Sequence, residues 1–320
     1  MGLDGTASRA LLRAQIGTNG CPKSIRYGAY LAKFSVGETW RTDKARLTQR
    51  TKVVPFGQNL RQGGKMITRY IGITDFMSGH RARAMRDVFV RAGGPGINRR
   101  LAVGVMMSRK TLCGLPTAWS SAFPKNEEIA QIFQDDRGAV FNVLHYADYS
   151  DVQFEQCLRM ASAFGGPRMQ AVQLDMKWPD VEIIRSYRET QNDVAIILQV
   201  GKSCFDDAKD QPAEIVRRLA PYAGVIDAVL LDRSMGSGTL LDPARTLPHL
   251  EAISTAYPQL GLVVAGGLGP ETLHVLVPIL QKFPQVSIDA QGRLRRSRKA
   301  TDPIDWDLAE DYIRAAVRAF

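Results

Sequence analysis

Val229-Leu230-Leu231-Asp232, followed by Gly236-Ser237-Gly238, is the stretch that decides the fold. An unbroken apolar run marks a strand buried on both faces, as in parallel sheets. Its single terminal carboxylate then meets a glycine-rich loop, the position from which active-site groups project in α/β barrels. Roughly thirty residues on, Leu262-Val263-Val264-Ala265 runs into Gly266-Gly267-Leu268-Gly269-Pro270. This is a second apolar strand ending in glycines, whose exposed N–H groups suit an anion such as phosphate. A carboxylate and an anion cradle on consecutive strands point to sugar-phosphate chemistry.

Outward from these two strands the same alternation recurs. Strand-like runs are expected at 66–74, 101–107, 140–145, 169–174, 194–200, 228–232, 262–265 and 286–289. Helix-like segments fall between and after them, at 78–92, 126–133, 151–164, 179–191, 212–222, 247–257, 270–283 and 307–320. Several open on proline or an acidic residue, which suits a first helical turn. In the last one Leu308, Tyr312, Ile313, Ala316, Val317 and Phe320 recur at spacings of three and four, an amphipathic stripe. Eight strand–helix units predict a closed (β/α)8 TIM barrel, with a doubly wound open sheet as the alternative, because periodicity does not report closure.

Composition sets the outer limits. With 320 residues, 45% of them hydrophobic, the chain can bury one sizeable core. No segment approaches the ~20 apolar residues of a membrane span, and the N-terminus lacks the apolar core of a secretion signal, so a cytoplasmic location is expected. Cys21, Cys113, Cys157 and Cys204 are too far apart for a zinc pair or a redox Cys-x-x-Cys, and reduced thiols are expected. The four histidines form no paired metal spacing, so neither a metal nor another cofactor is expected. Of them His145, at a strand end, is the one placed to reach a barrel mouth, while His249 and His274 fall in helical segments. Gly57 to Lys65 is no P-loop, since Met66 stands where Ser or Thr is required.

The net charge of +10 is concentrated at one end. Residues 1–65 hold 12 Lys+Arg against 3 Asp+Glu, nine of the ten net charges. That segment shows no sustained periodicity and is expected to be a poorly ordered basic extension, with the barrel domain occupying 66–320. A basic arm on nucleic acid or an organelle-targeting peptide are its functional alternatives. The body of the chain is nearly neutral, which makes a nucleic-acid partner unexpected, and a monomer or homodimer is anticipated.

Taken in order, these residues resemble the phosphoribosylanthranilate isomerase family, the tryptophan-pathway β/α barrel, over roughly 66–320. The family's first strand reads Lys, an aliphatic residue, Cys, Gly, Ile or Leu, and Thr, and this chain has Arg69-Tyr70-Ile71-Gly72-Ile73-Thr74. Its fourth strand ends Gln-Leu-His-Gly, against Gln173-Leu174-Asp175-Met176 here. Its sixth reads Leu-Leu-Asp before a glycine turn, similar to Leu230-Leu231-Asp232 with Gly236-Ser237-Gly238-Thr239. The seventh, Ala-Gly-Gly-Leu-x-Pro-Glu, is matched throughout by Ala265 to Glu271. Two positions depart. Ile71 stands where the family has the cysteine that serves as general base, and the two phosphate-holding serines after the eighth strand are replaced in Ile288-Asp289-Ala290-Gln291-Gly292-Arg293-Leu294.

The resemblance implies a phosphorylated sugar as ligand and an Amadori-type aldose–ketose isomerisation. That reaction needs an acid for the ring oxygen and a base for the proton on the second carbon. Asp232 is the candidate acid, since a barrel mouth can raise a carboxyl pKa. Asp175, in place of the family's histidine, is the candidate replacement base. Asp75 shares the strand face of Ile71 but lies ~13 Å further along, so only a loop folding back would bring it in. Gly236, Gly238 and Arg109 are candidate substrate contacts, and Gly266, Gly267, Gln291, Gly292 and Arg293 candidate phosphate contacts. A solvated basic loop from Arg293 through Lys299 is the plainer expectation for Arg293, and a loop-stabilising carboxylate the plainer one for Asp232. Two other functions fit the same residues: a barrel that binds a phosphorylated ligand without chemistry, or an enzyme for a different sugar phosphate with Asp175 as base.

Overall fold

The computed structural model describes residues 67–320, so the extension 1–65 and the proposed domain start at Met66 lie outside the described residues. Eight strands occur in it: β1 Tyr70–Thr74, β2 Arg100–Ser108, β3 Val140–Ala147, β4 Ala171–Asp175, β5 Ala195–Gly201, β6 Ala228–Asp232, β7 Gly261–Ala265 and β8 Ser287–Ala290. Each pairs in parallel with the next, and β8 returns to β1 through Ile71–Ile288, Gly72–Asp289 and Ile73–Ala290, closing the barrel. Closure leaves no sheet edge, which removes the doubly wound alternative.

The helices are α1 Gly79–Arg91, α2 Arg109–Leu112, α3 Ile129–Ile132, α4 Phe154–Gly165, α5 Val181–Thr190, α6 Lys202–Asp207, α7 Pro212–Leu219, α8 Pro243–Ala256, α9 Val277–Lys282 and α10 Trp306–Ala319. Their starts follow from local chemistry. Ser78, Asp180, Asp242 and Asp305 each accept a backbone N–H of the first turn. α8 begins before the expected 247 because Asp242 caps it and Pro243 heads it, leaving Pro248 inside the helix. The segments expected at 126–133 and 270–283 split into a 3-10 turn followed by a short α-helix.

Side chains alternate across each strand, so one set fills the barrel. Its floor is apolar: Tyr70, Ala102, Phe141, Val143, Ala171, Ile197, Ala228, Leu230 and Val263 form one buried cluster. Nearer the C-terminal ends of the strands the interior turns polar, with Thr74, His145, Gln173, Asp175, Gln199 and Asp232 all buried. Burying that much polarity is costly unless partners are supplied, which makes this layer the place to look for function. Because Tyr70 belongs to the interior, Ile71 and Ile73 face the surrounding helices. Position 71 is therefore not the place from which this chain could present a base to the mouth.

Candidate functional site

Asp232 ends β6 with its carboxyl inside the barrel, 8% exposed. Its Oδ1 accepts three hydrogen bonds, from Ser234 N at 2.8 Å, Ser234 Oγ at 2.7 Å and Met235 N at 3.2 Å. One oxygen thus fixes the loop that follows, as a loop-stabilising carboxylate would, and none of these bonds uses Oδ2. Burial raises the Asp232 pKa above the ordinary carboxylate value, with the Asp175 charge adding to it, although the Ser234 and Met235 bonds oppose the shift. β7 lies alongside, with Ala265 in register with Asp232, and delivers Gly266 at once: a β-carbon on Gly266 would lie 3.4 Å from Asp232 Oδ1. The next residue, Gly267, has φ 56°, and a β-carbon there would meet Thr239 O at 2.5 Å and Leu240 Cα at 2.7 Å. Only glycine fits that crossing of two loops.

The strand beside β7, β8, brings in a carboxylate that sequence reasoning gave no role, with Asp289 in register with Ala265. Asp289 is partly buried, accepts Thr74 Oγ1 at 2.9 Å on Oδ2, and lines the mouth. Although some of its surface remains open to the cavity, burial of the carboxyl dominates and raises its pKa to about 6. Its Oδ1 fills the space before Gly72, where a β-carbon would stand only 2.5 Å away. The signal was present: an isolated glycine inside a strand marks a close approach. What it approaches lies at the far end of the chain.

The loop after β1 does fold back. Asp75 has φ 90°, its N–H and that of Phe76 both donate to Gly104 O at 3.0 Å, and its carboxyl turns inward. There it is spent on a buried ion pair with Arg295, each side chain 2% exposed, and it accepts Gln291 Nε2 at 3.0 and 3.1 Å. Arg295 is therefore a structural residue and not part of a solvated loop, whereas Arg296, Arg298 and Lys299 are exposed.

On the opposite wall, Gln173 Nε2 donates to Gln199 Oε1 at 2.7 Å and lies 3.3 Å from His145 Nδ1. With an amide N–H facing it, Nδ1 acts as acceptor, so the neutral ring carries its proton on Nε2. That Nε2 is buried, and among the described residues its nearest acceptor is Asp175 Oδ2 at 3.5 Å, at the limit of a hydrogen bond. Burial opposes the imidazolium, but Asp175, Asp289 and Asp75 together outweigh it and raise the His145 pKa. Tyr149, in the loop after β3, is 63% exposed as a residue while its hydroxyl reaches toward Asp175; burial of the hydroxyl, then the charges of Asp175 and Asp232, raise the phenol's pKa.

The mouth cavity is lined by Asp232, Asp289, His145, Gln291 and the glycines 236, 266, 267 and 292, among others. Six of the ten candidate site residues thus converge, Asp232, Gly236, Gly266, Gly267, Gln291 and Gly292, together with His145, the histidine expected to reach the mouth. Four do not line it. Asp175 stands against His145, its Oδ2 3.5 Å from Nε2, Gly238 is covered by Arg298, and Arg293 is spent on Gly238 O at 3.1 Å and Glu271 Oε1 at 3.2 Å. Arg109 heads α2 and donates its Nε to Val152 O at 3.0 Å. The cavity holds about 20 Å³, room for about one water, whereas ligand pockets commonly need roughly 300 Å³ or more. A larger cavity of about 310 Å³ adjoins it between α6 and α8, and the two share Ser234, Ala265 and Gly266 as a common wall. Lys202, Arg233 and Arg245 line the larger one, each paired to Asp206 or Asp210.

Neither a protein-family profile nor any curated protein matches the sequence. Solved structures do match the fold. Phosphoribosyl anthranilate isomerase from Thermotoga maritima superposes with TM-score 0.51 and 19% identity over 79% of this chain and 100% of that one. A phosphoribosyl anthranilate isomerase in complex with reduced 1-(o-carboxyphenylamino)-1-deoxyribulose 5-phosphate gives TM-score 0.50 and 20% identity over the same shares. At these identities the likeness is one of fold.

Proposed function

We propose that the barrel mouth binds a phosphorylated sugar and catalyses an Amadori-type aldose–ketose isomerisation with Asp232 as general acid. The observation that carries this is the juxtaposition of Asp232 with Gly266: an acid whose pKa is raised by burial stands against glycine backbone able to approach an anion closely. The phosphorylated ligand in the structurally similar isomerase lends support. In the reaction Asp232 gives its proton to the ring oxygen as the bond from that oxygen to the first carbon breaks, and a lone pair of the other nitrogen or oxygen on that carbon forms the new double bond to it. A base then takes the proton from the second carbon, and the same proton returns to the first as the carbonyl forms on the second. Entry of the sugar requires the loops after β6 and β8 to part, because the mouth as it stands has room for only about one water.

That narrowness favours one second reading, a barrel that binds phosphate ligands without chemistry. Titration calorimetry with ribose 5-phosphate, followed by the loss of phosphoribosylanthranilate fluorescence, separates the two. Binding with turnover above that of Asp232→Asn supports the isomerase; binding without turnover supports the second reading; no binding defeats both.

A further inference from the structure

Granted the sugar-phosphate site proposed above, the residue that would move a carbon-bound proton is still unassigned. The family's base position is Ile71, an aliphatic side chain facing the helices, and Asp175 does not line the mouth cavity, its Oδ2 standing 3.5 Å from His145 Nε2. Asp75 is closed off by Arg295 and Gln291. Of the inward carboxylates that leaves Asp232, with one oxygen committed to its loop, and Asp289. Asp289 receives one side-chain hydrogen bond among the described residues, from Thr74 on Oδ2, and lines the same cavity from β8.

We propose that Asp289 is the general base of this barrel and that His145, through its buried Nε2–H beside Asp175, is the donor that polarises the sugar oxygen next to it. The two line one cavity, and Thr74 and Gly72 fix the carboxylate on one side as Gln173 fixes the imidazole on the other. In the step, the bond from carbon 2 to its hydrogen breaks and the proton passes to an Asp289 oxygen. The released pair forms the double bond between carbons 1 and 2, and the π pair of the neighbouring C=O moves to its oxygen, which takes the Nε2 proton. Asp289 then returns its proton to carbon 1, and His145 recovers one from the hydroxyl on carbon 2 as the new carbonyl forms. No atom or electron is gained or lost overall. A carboxylate titrating near 6 is well matched to such transfer at neutral pH.

Ribose 5-phosphate in D₂O provides the test, because a base at carbon 2 exchanges that hydrogen for deuterium, which proton NMR follows directly. With calorimetry run in parallel on the full chain, the wild type is expected to bind the sugar phosphate and exchange it. Asp289→Asn should lose exchange by about 10²-fold or more with Kd changed less than threefold, and His145→Gln by at least tenfold. Wild-type exchange should rise with pH through an inflection near 6. Binding with exchange undiminished in Asp289→Asn overturns the assignment, as does binding with no exchange by the wild type; in both cases the binding site itself stands. No binding by the wild type removes the site and the base together.

Discussion

Asp289 occupies the space that Gly72 leaves open across the β1–β8 seam, so closely that a β-carbon on Gly72 would stand 2.5 Å from its Oδ1. Gly72→Ala must push the carboxylate aside, and an expected cost of about 1–3 kcal/mol follows from overpacking a filled interior. In an Asp289→Ala background the first obstacle is gone and the same alanine should cost less than half as much. Urea unfolding of the four proteins gives the coupling. Strictly additive effects would show that the two residues are not in contact.

The buried Asp289 carboxyl also makes stability depend on pH. Its pKa is raised in the folded chain from the ordinary 3.8 to about 6. Below pH 4 the acid is protonated folded or unfolded and contributes nothing; between 4 and 6 the unfolded chain ionises first, so stability falls as pH rises and then levels off. The difference is at most about 3 kcal/mol, and less in practice because part of Asp289 meets solvent. Asp289→Asn keeps an acceptor for Thr74 and has no charge to bury, so it should match the wild type at pH 4 and exceed it at pH 7. Equal stability at both values would contradict the raised pKa.

Much of this site could be read from the sequence, and the part that could not has a geometrical cause. Asp232 and Gly266 lie on consecutive strands, so local apolar runs and glycine turns sufficed to place them side by side. Asp289 with Gly72, and Asp75 with Arg295, meet only where the last strand closes on the first, 217 and 220 residues apart. No local period reports such a pairing. The run from Arg293 to Lys299 reads as uniformly solvated because charge density is visible in sequence and burial is not; one member, Arg295, is drawn inside by the left-handed turn at Asp75. The short helices α2 and α6 escaped because four and six residues cannot show an amphipathic repeat.

The Asp75–Arg295 pair should respond asymmetrically to mutation. Arg295→Met leaves a buried carboxylate supported mainly by Gln291, at an expected cost of about 3–5 kcal/mol. Asp75→Asn alone should also destabilise, since it strands the buried guanidinium. On the Arg295→Met background, however, the same Asp75→Asn change removes the unpaired charge and should return stability. This reversal of sign, measured by denaturant midpoint, would not appear if the two side chains were exposed.

Asp232 is expected to do two jobs through two oxygens, and two substitutions part them. Asn at 232 can keep an acceptor oxygen where Oδ1 now holds Ser234 and Met235, so the loop carrying Gly236 should stay ordered and stability should change by about 1 kcal/mol or less. It cannot supply the proton for ring opening, and turnover should fall at least about 10²-fold with sugar-phosphate affinity preserved. Alanine loses the acceptor as well, leaves two N–H groups and a hydroxyl without their partner, and should cost about 1–3 kcal/mol together with affinity. If Asn and Ala lose affinity and stability alike, Asp232 is a loop support alone and the acid must be sought elsewhere in the mouth.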